Sequence, residues 1–167
     1  MFYCIDIMFY LLYIMTTTSN IGSASMPYRE KVAWLSLVGM AVCYGPYFAV
    51  THQSPLLDHP LPNFGLMSLF AAAAVGNAVW ALLGRLLVQM KTPRDERGAA
   101  DERDQAVDRR ASTVAYYVLI GLALYVGCVL PFTTTGWHIV NSMVASVVIA
   151  ETVRYAMIVL GYRRGLR

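Results

Sequence analysis

Charge is scarce in this chain of 167 residues: only 14 % are Asp, Glu, Lys or Arg, against 57 % apolar residues. Where positive charge is missing says more than how much there is. Segments 52–64 and 133–136 contain no Lys or Arg at all. Nearly all basic residues fall in three other places: Arg29 and Lys31, the segment from Lys91 to Arg110, and Arg163, Arg164 and Arg167 at the end. Between these flanks lie four apolar runs, 32–51, 65–90, 113–132 and 137–161. The alternation is that of the positive-inside rule in a chain crossing a membrane four times, with both ends of the mature chain cytoplasmic.

Other absences narrow the function. There is no H-E-x-x-H, no G-x-S-x-G, no phosphate loop and no carboxylate pair within a span, so no enzyme is expected and no cofactor is implied. Serines such as Ser142 and Ser146 are expected to bond back within their helix rather than act as nucleophiles. Cys4, Cys43 and Cys128 lie in apolar runs without metal-binding spacing, and are read as small apolar residues. The net charge of +3 sits at the span edges, which leaves no nucleic-acid footprint. Period-two alternation is missing from Ala71-Ala72-Ala73-Ala74-Val75, which argues against a β-barrel.

What is present is four stretches near the roughly 20 residues that cross a hydrocarbon core of about 30 Å. In lipid each must satisfy its own backbone hydrogen bonds, so each must be a helix. The expected fold is all-α: an integral membrane bundle of four transmembrane helices over 26–167. Segment 1–15 is apolar but short, interrupted by Asp6, and has no basic residue before it. It lacks the positive start of a signal peptide. The expectation is that the native chain starts at Met26 and that 1–25 is an N-terminal extension; the rival reading is a short or interfacial fifth helix.

Within the spans, Gly45-Pro46 is expected to bend or stop the first helix near its outer end. The loop 52–64, with three prolines, is expected to be extended. In the second span Ala74 and Ala78, then Ala81 and Gly84, with Asn77 and Trp80 beside them, form a small-residue face for close helix contact. Ala123 and Gly127 repeat the device in the third span, which should end at Pro131. Tyr116, Tyr117, Trp137 and Tyr162 suit the headgroup level.

The inner loop 91–112 is the one long hydrophilic segment. Its basic residues (Lys91, Arg94, Arg97, Arg103, Arg109, Arg110) are matched one for one by acids (Asp95, Glu96, Asp101, Glu102, Asp104, Asp108). At helical spacing Asp101, Asp104 and Asp108 share a face, and Arg97–Asp101 is an i,i+4 pair. Segment 99–110 is expected to run into the third span as one helix standing out of the membrane. A solvated, self-paired helix is the plainer reading. Against it stands an interaction surface made by Asp101, Glu102, Arg103, Asp104 and Asp108, for a partner or for the basic tail; cation binding by the three aspartates is opposed by the interleaved arginines.

The fourth span carries Glu151, about twelve residues or roughly 18 Å from Arg163, which is a little inward of the midplane. Such a group faces the bundle interior with a partner. Arg154 at i+3 is the obvious one, with Asn141, Thr152 and Tyr155 on a neighbouring arc and Asn77 and Arg85 as candidates from the second span. A buried ion pair that fixes register is preferred to a proton or cation relay, because an acid beside an arginine makes a poor transport site. A metal site from His52, Asp58, His59 and His138 is a weak candidate, since their spacing gives no sign of convergence.

The run Asp101-Glu102-Arg103-Asp104, continuing through Arg109-Arg110-Ala111 into Ala115-Tyr116-Tyr117-Val118-Leu119, resembles a group of small, uncharacterised bacterial inner-membrane proteins. So do Ala150-Glu151, Val153-Arg154-Tyr155 and the ending Tyr162-Arg163-Arg164-Gly165. The resemblance covers 92 to the C-terminus. It implies a four-helix protein of the bacterial inner (plasma) membrane and names no substrate, cofactor or catalytic residue. The function expected is that of a non-enzymatic accessory or regulatory membrane protein, self-associating or bound to a larger membrane protein in the lipid bilayer. The alternative is a small dimeric proton- or cation-coupled transporter using Glu151.

Overall fold

A computed structural model describes residues 28–53, 63–91, 102–134 and 136–164. The extension 1–25, Asp58, His59, Arg97 and Asp101 lie outside them. Four helices account for almost all of the described chain: α1 Tyr28–Gln53, α2 Phe64–Lys91, α3 Glu102–Cys128 and α4 Trp137–Arg164. Each is long and apolar enough to cross a membrane. The protein is an all-α membrane bundle, and no strand occurs among the described residues.

Local chemistry sets the helix ends. The Leu66 N–H donates to the Asn63 Oδ1 atom at 3.1 Å and the Met67 N–H to the Asn63 carbonyl, so Asn63 caps the start of α2. Pro131, which has no N–H to donate, sits in a 3₁₀ turn, Leu130–Phe132, that closes α3. The Thr133 and Thr134 hydroxyls both donate to the Leu130 carbonyl there. Gly136 then takes a left-handed conformation, φ 63°, which suits glycine, and α4 starts at the next residue. This tight connection makes α3 and α4 an antiparallel hairpin. Pro46, by contrast, neither ends nor shortens α1, which continues through it to Gln53. In lipid a helix that stopped there would leave several carbonyls and N–H groups without partners, whereas continuing costs about one bond.

Contacts run from α2 to α1, from α1 to α4 and from α4 to α3. The main apolar core joins three helices only: Ala33, Trp34 and Leu37 of α1, Ala111 of α3, and Ile158, Val159 and Tyr162 of α4. Helix α2 is peripheral and packs on α1. Its seam is made by glycines facing large side chains, Gly39 against the Trp80 indole and Gly84 against Leu35, and the Trp80 indole N–H donates to the Leu35 carbonyl at 3.0 Å. Further out Tyr47 is edge-on to Phe70, with ring centroids 6.0 Å apart. The close approach therefore uses Gly84 and Trp80, as expected, but Ala78 is exposed rather than in the seam.

Candidate functional site at the charged end of the bundle

All four helices bring a charged terminus to the same end, because neighbours in the bundle are antiparallel. There α3 meets the first turn of α1 and the last turns of α4. Asp104 accepts a hydrogen bond from the Tyr162 hydroxyl at 2.7 Å and lies 3.5 Å from Arg29 Nε. Asp108 lies 3.3 Å from Arg154 Nη2, and Glu30 lies 3.6 Å from Arg163 Nε. Three helices are thus tied pairwise by charge through three carboxylates, and Arg154 also reaches Glu151 on its own helix at 3.9 Å.

Burial is uneven across this group. Glu30 is 3 % exposed, although it sits one turn from the start of its helix. Its negative charge there suits the helix N-terminus as well as Arg163. The Arg163 guanidinium also stacks over the Trp34 ring, 5.4 Å from its centroid, which extends the apolar core under the charge. Arg154 lies 5.8 Å over the Tyr155 ring, and the side chains of its pairs are only partly buried. Close packing brings these helices together: at Gly161 a side chain would press on Val107 of α3.

Of the expected interaction surface, Asp104 and Asp108 are engaged by α1 and α4, the Asp108 side chain being still 46 % exposed, and Glu102 and Arg103 are exposed. The physical reason is that 104, 108, 111 and 115 share one face of α3, and Ala111 and Ala115 on it are buried. That spacing was the signal available in the sequence: the aspartates continue the apolar stripe. The first turns of α3 consequently lie alongside the ends of α1 and α4 instead of projecting from the bundle. Nor does the basic tail close on this segment through Arg163, which goes to Glu30 of α1.

The intramembrane group is assembled in part. Glu151 and Arg154 do pair, but the arginine is nearer to Asp108 of α3 than to its helix neighbour. Tyr155 packs beneath the guanidinium and against the core. The Thr152 hydroxyl donates to the Val148 carbonyl at 2.7 Å and touches the Met40 sulfur of α1. Asn141, about three turns from Glu151 toward the opposite end, does not join the cluster. Asn77 and Arg85 are not brought to Glu151, because they ride on α2, which packs on α1. Ser146 back-bonds to the Ser142 carbonyl at 2.8 Å, as its place in a helix led one to expect.

At the opposite end, His52 is exposed on α1 and His138 is half-buried on α4. Among the described residues no group of His, Cys, Asp and Glu is arranged to hold a metal ion. Cys43 and Cys128 are free thiols on different helices. Comparison with family models, curated proteins and solved structures finds no match to this chain.

Proposed function

We propose that this protein is a non-enzymatic accessory or regulatory membrane protein of a bacterial inner membrane that acts by presenting α2 to another membrane helix, of a second copy or of a larger protein. The observation that carries this reading is the inequality between α2 and the rest. Only 6 % of the α2 span is buried, against 33 % for α1, so three helices make the core and the fourth is attached along one seam. On the face away from that seam lie Ala71, Val75, Ala78 and Leu82, all exposed, at helical spacing. Small residues of this kind allow close backbone approach, a main source of helix association in lipid. The charged end faces the cytoplasm in this reading, as its basic residues require.

The transporter alternative is weaker. Asn141, Asn77 and Arg85 are not gathered at Glu151, so the polar stripe that a path would need is not assembled around it. The test of the leading reading is cross-linking in native membranes with Ala71→Leu/Ala78→Leu. A cross-linked species seen with the wild type should fall several-fold in the variant, while the thermal stability of the isolated protein stays unchanged. No cross-linked species in the wild type, under any lipid condition, sinks the proposal. Reporter fusions after position 57 and after position 100 should report outside and inside respectively.

A further inference from the structure

Helix α3 divides its charge by sign. The acids Asp104 and Asp108 are drawn inward by Arg29, Tyr162 and Arg154. Arg103, Arg109 and Arg110 are exposed on the other side. Residues 103, 110, 117 and 124 fall at successive steps of seven, about 10 Å each along the axis, and so form one stripe. Its members Arg103, Arg110, Tyr117 and Leu124 are all exposed, as are Ala106, Thr113 and Ile120 between them. From the charged end toward the bilayer the stripe therefore reads guanidinium, guanidinium, phenol, aliphatic. Arg109 and Tyr116 stand beside it, also exposed.

We propose that this outward face of α3 binds the headgroup of an anionic phospholipid, with Arg103 and Arg110 converging on the phosphate and Tyr117, about 10 Å deeper than Arg110, against the acyl chains. Two observations select a lipid as the occupant. The stripe passes without a break into Tyr117, Ile120 and Leu124, which lie on a span and offer a surface for acyl chains. Its upper part is level with Arg29 and Tyr162, at the ends of the α1 and α4 spans, because Asp104 contacts both. Arg103 thus stands at the level of these span ends, and Arg110, about 10 Å deeper along the axis, has a side chain long enough to reach back toward it. Charge is complementary too: the two aspartates that would oppose an anion here are engaged on the inner face, and Glu102 is the remaining described acid of the polar segment. Guanidinium groups bind phosphate oxygens in a bidentate fashion.

The test uses the full chain reconstituted in vesicles of mixed phosphatidylglycerol and phosphatidylcholine, extracted in mild detergent, with the retained lipids quantified. The wild type should retain phosphatidylglycerol above its bulk proportion. Each arginine near an anionic surface is worth on the order of a fivefold preference, so Arg110→Gln should lower the enrichment about fivefold and Arg103→Gln/Arg110→Gln further. Arg103→Lys/Arg110→Lys should keep most of it. Lys31→Gln/Arg85→Gln, which removes the same charge elsewhere, should leave it unchanged. All the α3 substitutions are on the exposed face, and unchanged helical content with a single elution peak checks the fold. The proposal is overturned if the wild type shows no enrichment, if Lys31→Gln/Arg85→Gln loses as much as the α3 variants, or if excess inorganic phosphate displaces the lipid, which would mark a general anion site.

Discussion

Helices α1 and α2 are neighbours of nearly equal length, and α2 is the more apolar of the two, yet they occupy opposite kinds of position. Helix α1 touches α2 along one side and α4 along another, and it contributes Ala33, Trp34 and Leu37 to the core. Helix α2 touches α1 and exposes Val75, Val79, Leu82, Leu83, Leu86 and Leu87. In water this would be inverted, with the most apolar helix at the centre. In lipid, apolar side chains gain little by leaving the acyl chains, so burial is decided by what else a helix offers: glycines, aromatic donors and charged groups that need partners. Helix α2 has glycines and an aromatic donor too, but α1 adds Arg29 and Glu30, which pair with α3 and α4. Its two sides are held differently, by close steric fit toward α2 and by charge toward α4 and α3.

The largest effect should come from breaking the steric side. Gly39→Leu would drive a side chain into the Trp80 indole, which is held in place by its bond to the Leu35 carbonyl. Overpacking costs about 1–3 kcal/mol, and the upper end is expected for a rigid ring. A cysteine pair placed across the α1–α2 seam should then lose its cross-linking, while a pair across α3 and α4 keeps it. Equal loss at both seams would show that α2 is no separate unit.

Next comes the charged side. Glu30→Gln leaves Arg163 without its carboxylate at a position where Glu30 is almost fully buried. Breaking a buried pair costs about 3–5 kcal/mol, but Arg163 is one-third exposed and keeps the Trp34 ring, so about 2 kcal/mol is expected. Thermal unfolding in detergent reads it, and the double variant Glu30→Gln/Arg163→Gln should recover part of the loss.

Trp80→Phe sharpens the comparison at lower amplitude. It keeps a ring in the seam but removes the N–H that meets Leu35, a loss of about 1 kcal/mol for one hydrogen bond. Cross-linking of α2 to α1 should weaken without disappearing.

The smallest effect is expected at Glu151→Gln. Arg154 keeps Asp108 at 3.3 Å, and the Glu151 contact at 3.9 Å is the longer of the two, so the loss should stay near that of one hydrogen bond, about 1 kcal/mol or less. Sequence spacing alone implied a much larger cost, because it offered Arg154 one partner. A shift in unfolding as large as that of Glu30→Gln would mean that Glu151 is the principal partner after all.

The amino-acid sequence by itself determined the element list: four helices, the break at Pro131, and the alternation of charge between flanks. It could do so because lipid imposes a local rule, that every spanning segment bond its own backbone, and local rules are legible in runs and in absences. It also placed Glu151 beside Arg154, a separation of three residues on one helix. Which helix is peripheral, and which carboxylate an arginine chooses, only the tertiary structure decided. Hydropathy marks α2 as a span without saying what it packs on. Asp104 and Asp108 look like a solvated face until Ala111 and Ala115, one and two turns beyond Asp108, are seen to be buried, Ala111 among residues of α1 and α4. The same ambiguity hid Glu30 and Arg163, which read as flanking charges and became an interhelical pair. Long side chains reach several ångströms along and between helices, so their partners are fixed by helix arrangement and register rather than by spacing in the chain.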